Sequence, residues 1–110
     1  MESIAEVKIA DEVIAVIAGL AATEVEGVDS MSGNLTHELI AKQGMRNLSK
    51  GVSLDIQEKN VSVTLSIILK YGYSVKEVST KVQDRVKNAI ENMTGFTVDS
   101  VHINIAGMEG

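Results

Sequence analysis

The sequence contains no cysteine, no tryptophan and no proline, and its 110 residues include one phenylalanine and two tyrosines. The lack of cysteine excludes disulfides, thiolate metal ligation and cysteine nucleophiles, and leaves the redox compartment unmarked. Aromatics at 3% offer little ring surface for stacking on bases or sugars. Basic residues are few, ten against fifteen acids, and the net charge of −5 argues against a nucleic-acid binder driven by phosphate neutralisation. Long apolar runs are missing too. The most apolar one, Val13 to Ala22, has ten residues, whereas a spanning helix needs roughly 20. The acidic start, Met1 to Lys8, lacks the basic region and apolar stretch of a signal peptide. The chain therefore reads as cytoplasmic, with no direct membrane span.

What is present is aliphatic. Hydrophobic residues make up 45%, and Val and Ile together supply 25 of them. Such a chain can bury a β-branched core, and its length suits one domain over residues 1–110. No internal repeat or low-complexity tract interrupts it.

Periodicity sets out the elements. Ala5, Val7 and Ile9 alternate with Glu6 and Lys8, which predicts a short first strand. Asp11 to about Glu26 then reads as a helix, with acids in its first turn and Gly27 as its stop. On its wheel Val13, Ile14, Val16, Ile17, Leu20 and Val25 share one broad side, and Ala15, Ala18, Gly19 and Ala22 share the other. Val28 to Ser32 is a weak extended segment. Between residues 32 and 50, Leu35, Leu39 and Ile40 predict a short helix between Asn34 and Gly44. Val52, Leu54 and Ile56, then Val61, Val63, Leu65, Ile67 and Leu69, alternate with polar residues around Glu58-Lys59-Asn60, a hairpin with one apolar face. Ser74-Val75-Lys76-Glu77 is a capping box. It opens a second helix whose stripe is Val75, Val78, Val82, Val86, Ala89, Ile90 and Met93, closed by Gly95. A last strand runs from Phe96 to about Ala106. In it Val98 is out of phase with Val101, so a bulge is expected near Asp99. The fold class is α+β: a two-layer sandwich of a mixed, mostly antiparallel sheet of three to five strands with two long helices on one face. The final strand–helix–strand unit should close as a parallel pair.

The chemical inventory is thin. His37 and His102 have no nucleophile at a useful spacing, no acidic loop or His cluster has metal-binding spacing, and no glycine motif cradles phosphate. No catalytic residue, cofactor or metal is expected. Glu24 and Glu26 lie at a helix C-terminus, where acids are unfavourable; a role in recognition or a nearby Lys or Arg would each account for them. Residues 1–30 hold seven acids and one base, and residues 31–110 eight acids and nine bases. Lys42, Arg46 and Lys50 recur four apart, which a helix would align into a small-anion or acidic-partner site; a solvated face explains them as well.

Two surfaces are candidates for interaction. Gly in mid-helix costs about 1 kcal/mol relative to Ala, so Gly19 beside Ala15 and Ala22 suggests a close-packed neighbour, in the same chain or in another subunit. The polar side of the sheet, with its small hydroxyls, His102 and Asn104, carries one odd apolar residue, Ile68.

Three stretches then carry a family resemblance: Val7 to Ile14 continuing into Ala21-Ala22-Thr23-Glu24-Val25-Glu26-Gly27-Val28; Leu48-Ser49-Lys50-Gly51-Val52; and Tyr71-Gly72-Tyr73-Ser74 with Val82 to Lys87 and Asn92-Met93-Thr94-Gly95. Together they resemble the alkaline shock, or envelope stress response, proteins of Gram-positive bacteria, over nearly the full chain. Asp11 stands where many members have proline. The resemblance implies a small non-enzymatic protein linked to envelope or alkaline stress. It also implies action through a protein partner, in some members a membrane-anchored one, and peripheral localisation through that partner. We expect the chain to self-associate. The alternatives carried with this reading are a small-anion-binding regulator linked to lipid metabolism and an RNA-binding module.

Overall fold

A computed structural model describes residues 2–32, 36 and 51–109, with side chains described from Val13 onward. The expected short helix with Leu35, Leu39 and Ile40, His37, and the row Lys42, Arg46 and Lys50 lie outside the described residues.

Helix α1 spans Glu2–Glu24, so the strand expected at Ala5 to Ile9 is absent and the helix does not start at Asp11. Five alternating residues are too few to separate the two periods. With no Gly or Pro before Gly19, each further helical residue adds a hydrogen bond to a helix already nucleated downstream. The wheel is also turned from what residue size suggests. Ile14, Ala15, Ala18, Ala21, Ala22 and Val25 are buried, Val16, Ile17 and Leu20 are partly buried, and Val13 is 44% exposed. The small residues face inward, letting the helix backbone approach its neighbours closely.

Strand β1 is Val28–Met31, β2 Val52–Gln57 and β3 Asn60–Lys70. Helix α2 is Val75–Thr94 and β4 is Thr97–Glu109. The hairpin of β2 and β3 has the register its alternation predicts, Val52 opposite Leu65 through Gln57 opposite Asn60. Strand β4 pairs parallel along the whole of β3. Strand β1 pairs antiparallel with the far end of β3, Val28 opposite Leu69 and Met31 opposite Ile67. Because β4 fills one edge of β3, β1 and β2 share the other, end to end. Ser66 joins them: its N–H donates to Gly51 O, and its carbonyl accepts from Ser32 N–H, each at 2.9 Å. The sheet is mixed, as expected. The bulge expected near Asp99 is present, since Val61 faces Val98 and Ser62 faces Ser100; a second one lies at Ala106.

Both helices cover one face of this sheet. Val61, Val63, Leu65, Ile67 and Leu69 are fully buried against them, together with Val78, Val82, Val86 and Ile90 of α2. Ser74 caps α2 by accepting from Glu77 N–H at 3.3 Å, and Gly95 ends it at φ 81° with its N–H on Glu91 O. The ends of the expected stripe overhang the core, with Val75 42% and Met93 72% exposed.

Candidate interaction site at the end of the first helix

The turn from α1 into β1 carries the Glu24-Val25-Glu26-Gly27 run. Val25 is buried, so Glu24 and Glu26 flank it and point outward. Gly27 has φ 101°, a conformation that side chains rarely adopt. A Cβ there would stand 2.8 Å from Val78 Cγ2 and 2.9 Å from Tyr73 Cδ2. The absent side chain is what lets the start of α2 and Tyr73 close over this turn. Gly27 O in turn accepts from Lys70 N–H at 2.8 Å, tying the turn to the end of β3.

That closure decides where the two acids reach. Glu24 Oε1 pairs with Arg85 Nη1 of α2 at 3.1 Å, with the two side chains 47% and 55% exposed. The acid at an unfavourable helix end is thus offset by an arginine brought from 61 residues away. Glu26 Oε2 accepts from the Tyr73 hydroxyl at 3.1 Å. As acceptor first, and then as a negative charge, Glu26 holds the Tyr73 phenol above its usual 10.0, with a smaller contribution from desolvation. Neither Tyr73 nor Arg85 stands out in the sequence as a partner of these acids, although Tyr71-Gly72-Tyr73 belongs to the family-like stretches.

Between the helices these side chains border an open cleft of about 450 Å³, lined by Glu24, Val25, Glu26, Lys81, Asp84, Arg85 and Asn88. A second depression of about 360 Å³ lies beyond Tyr73, among Asp29, Lys70, Tyr71 and Glu109. Charges of both signs alternate here on an open surface. The arrangement suits recognition of a polar surface by charge-assisted hydrogen bonds. It does not enclose a nucleophile with a tuning base. Among the described residues no group of three or more His, Asp or Glu is placed to hold a metal ion.

Of the residues singled out from the sequence, Glu24 and Glu26 line this cleft, and the other described ones lie elsewhere. Ala15, Gly19 and Ala22 are buried within the chain and present no free face to another subunit. Ile68 is half-buried on the sheet face away from the helices, opposite Ser30 of β1 and Gly107 of β4. His102 is exposed on that same face, opposite Thr64.

Residues 1–110 match the alkaline shock protein 23 family, described as having a cell envelope-related function. The chain belongs to this family. Among its relatives is the uncharacterized protein YqhY of Bacillus subtilis, 35% identical over 104 residues, covering 94% of this chain and 77% of YqhY. The uncharacterized protein YloU of the same organism is 33% identical over 109 residues, covering 94% and 88%. A stress response regulator gls24 homolog of Streptococcus pyogenes is 27% identical over 103 residues, covering 90% of this chain and 56% of that protein. Family members named for the stress response thus exist, and their names point to non-enzymatic proteins. Solved MamM CTD variants share the fold: one matches with a TM-score of 0.55 at 14% identity, over 89% of this chain and 95% of that domain. No helix among the described residues is long and apolar enough to cross a membrane.

Proposed function

We propose that the chain is a non-enzymatic envelope-stress protein that acts by binding other proteins, in the cytoplasm or at the membrane surface through a membrane-anchored partner. The observation that carries this reading is the match of residues 1–110 to a cell envelope-related family, with a stress response regulator homolog among the relatives. The cleft at the end of α1 supports it. Glu24 and Arg85 are paired with each other and half exposed beside an open cleft that also carries Lys81 and Asp84, an arrangement suited to reversible docking of a charged surface and to little that catalysis would need. We infer a partner surface that meets alternating acidic and basic side chains of α2 with its own.

The test is in-cell crosslinking of the tagged chain, with and without alkaline challenge, followed by identification of the captured proteins and fractionation of membranes. An envelope protein enriched by the native chain, and lost with the charge-reversed variant Lys81→Glu/Asp84→Lys, is the expected result. Capture of nothing above background in both conditions, or an unchanged profile with the reversed variant, would count against the reading.

A further inference from the structure

The outer edge of β4 is closed along one half and open along the other. Near its start, Val98 N–H donates to Glu91 Oε2 at 2.9 Å, and the Val101 carbonyl accepts from Gln83 Nε2 at 2.8 Å. Both partners come from α2 and occupy main-chain groups turned away from β3. In a paired strand successive residues face alternate sides, and the register with β3 is unbroken from Ser100 to Ile105. The N–H and C=O of Ile103 and Ile105 therefore point to the free edge as well, and among the described residues none of them has a hydrogen-bond partner.

The helix layer also ends short of this half. Helix α2 starts against Gly27, at the opposite edge of the sheet, and reaches β4 at Gln83. The last third of β4 is left without a roof. Ile105 and Met108 are each 36% exposed, although Ile67 and Leu69, their register partners on β3, are fully buried on the same face. An open main-chain edge with an apolar lip is a template for strand addition.

We propose that this half-edge pairs with the same half-edge of a second copy, β4 antiparallel to β4, about a two-fold axis at Asn104. Centred there, Ile103 of each copy faces Ile105 of the other, and the open N–H and C=O groups of all of these residues are satisfied at once. This self-complementary register points to a second copy as occupant, and charge does not oppose it. The chain carries −5, yet Ser100 to Met108 contains no Asp, Glu, Lys or Arg, so two copies meet here without like-charge repulsion. The lysine or proline with which natural edges discourage such pairing is also absent from β4. The bulges at Asp99 and Ala106 confine the pairing to the middle of the strand, which makes the dimer weak and dependent on concentration. The inference deepens the reading of the chain as an interaction protein by naming one partner. A monomeric result removes this dimer and leaves capture of an envelope protein to be judged by itself.

The experiment is light scattering of the full chain over a concentration series, with amide hydrogen exchange read at Ile103 and Ile105. The mass should rise from 11.8 kDa towards twice that value, and both amides should slow by tenfold or more as it does. Ile105→Pro deletes an outward donor and spares the ladder to β3, so it should stay at 11.8 kDa with unchanged circular dichroism. Should that variant not fold, Asn104→Lys places like charges on the axis from an exposed position and should weaken association by tenfold or more. A mass fixed at 11.8 kDa up to about 1 mM would overturn the proposal. So would a dimer in which both amides still exchange freely, a dimer undiminished by Asn104→Lys, or protection of these amides only by a strand of another protein.

Discussion

The Tyr73 hydroxyl donates to Glu26 Oε2 at 3.1 Å, across 47 residues of sequence, and so links the end of α1 to the loop that opens α2. The bond favours the protonated phenol, and the Tyr73 pKa in the fold lies above its usual 10.0. The sign follows from linkage: the unfolded chain loses this proton first, so the contribution to stability is whole below about pH 10 and is lost as the pH climbs through the folded-state pKa. In thermal melts between pH 8 and 11, the native chain should lose more stability at the alkaline end than Tyr73→Phe does. Parallel pH profiles of the two proteins would show that Glu26 does not hold the phenol in solution.

Among the described residues three glycines have positive φ, and Gly27 should be the least replaceable of them. Gly27→Ala must accept both a left-handed backbone and a Cβ within 3 Å of Val78 and Tyr73. Strain at such a backbone costs about 1–3 kcal/mol and overpacking about as much again, so a loss of about 2–6 kcal/mol is expected in urea denaturation. Gly95→Ala meets nothing within 4 Å and should lose only the backbone part, about 1–2 kcal/mol. Equal losses would show that the contact with Val78 and Tyr73 relaxes freely.

The hairpin was legible because its alternation is long: Val61 to Leu69 repeats the period often enough that no helix fits. The bulge at Asp99 was legible as a phase slip between Val98 and Val101. The first helix was harder. Ala5, Val7 and Ile9 fit two periods over so short a run, and nearly the whole of Val13 to Ala22 is apolar, so side-chain size was a poor guide to which side faces the core. Neither edge of the candidate cleft could be read locally. Glu24 signals its need for a cation, but Arg85 is one of several bases on α2, and only the close approach at Gly27 determines which of them arrives.

The hairpin phase has a direct check. Leu65 is fully buried, whereas Ser66 turns its side chain to the other face. Leu65→Ala should cost about 2–5 kcal/mol, and Ser66→Ala within about 0.5 kcal/mol, since the hydrogen bonds of Ser66 to Gly51 and Ser32 are main-chain ones. Comparable losses from the two would mean that the faces of β3 are exchanged.

The Glu24–Arg85 pair should contribute little to stability despite its 3.1 Å separation, because about half of each side chain is exposed. A double-mutant cycle with Glu24→Gln and Arg85→Gln should give a coupling below about 1 kcal/mol that falls further in 0.5 M salt. A larger, salt-insensitive coupling would assign the pair a structural role and leave it a poor candidate for exchanging partners with a docked protein.

Gly19 tests the inner face of α1. It is buried beside Ala15, Ala18 and Ala22, none more than 1% exposed, so a larger side chain has to displace neighbours in the same chain. Gly19→Leu should lower stability by about 1–3 kcal/mol through overpacking. The mass of the dilute protein should stay at 11.8 kDa. Its rise with concentration should match that of the native chain, because α1 packs over β1 and β2 and the open edge of β4 lies across the sheet. A Gly19→Leu protein of undiminished stability would mean that this face opens to solvent. If its association with concentration were also abolished, the dimer contact would have to be moved from β4 to α1.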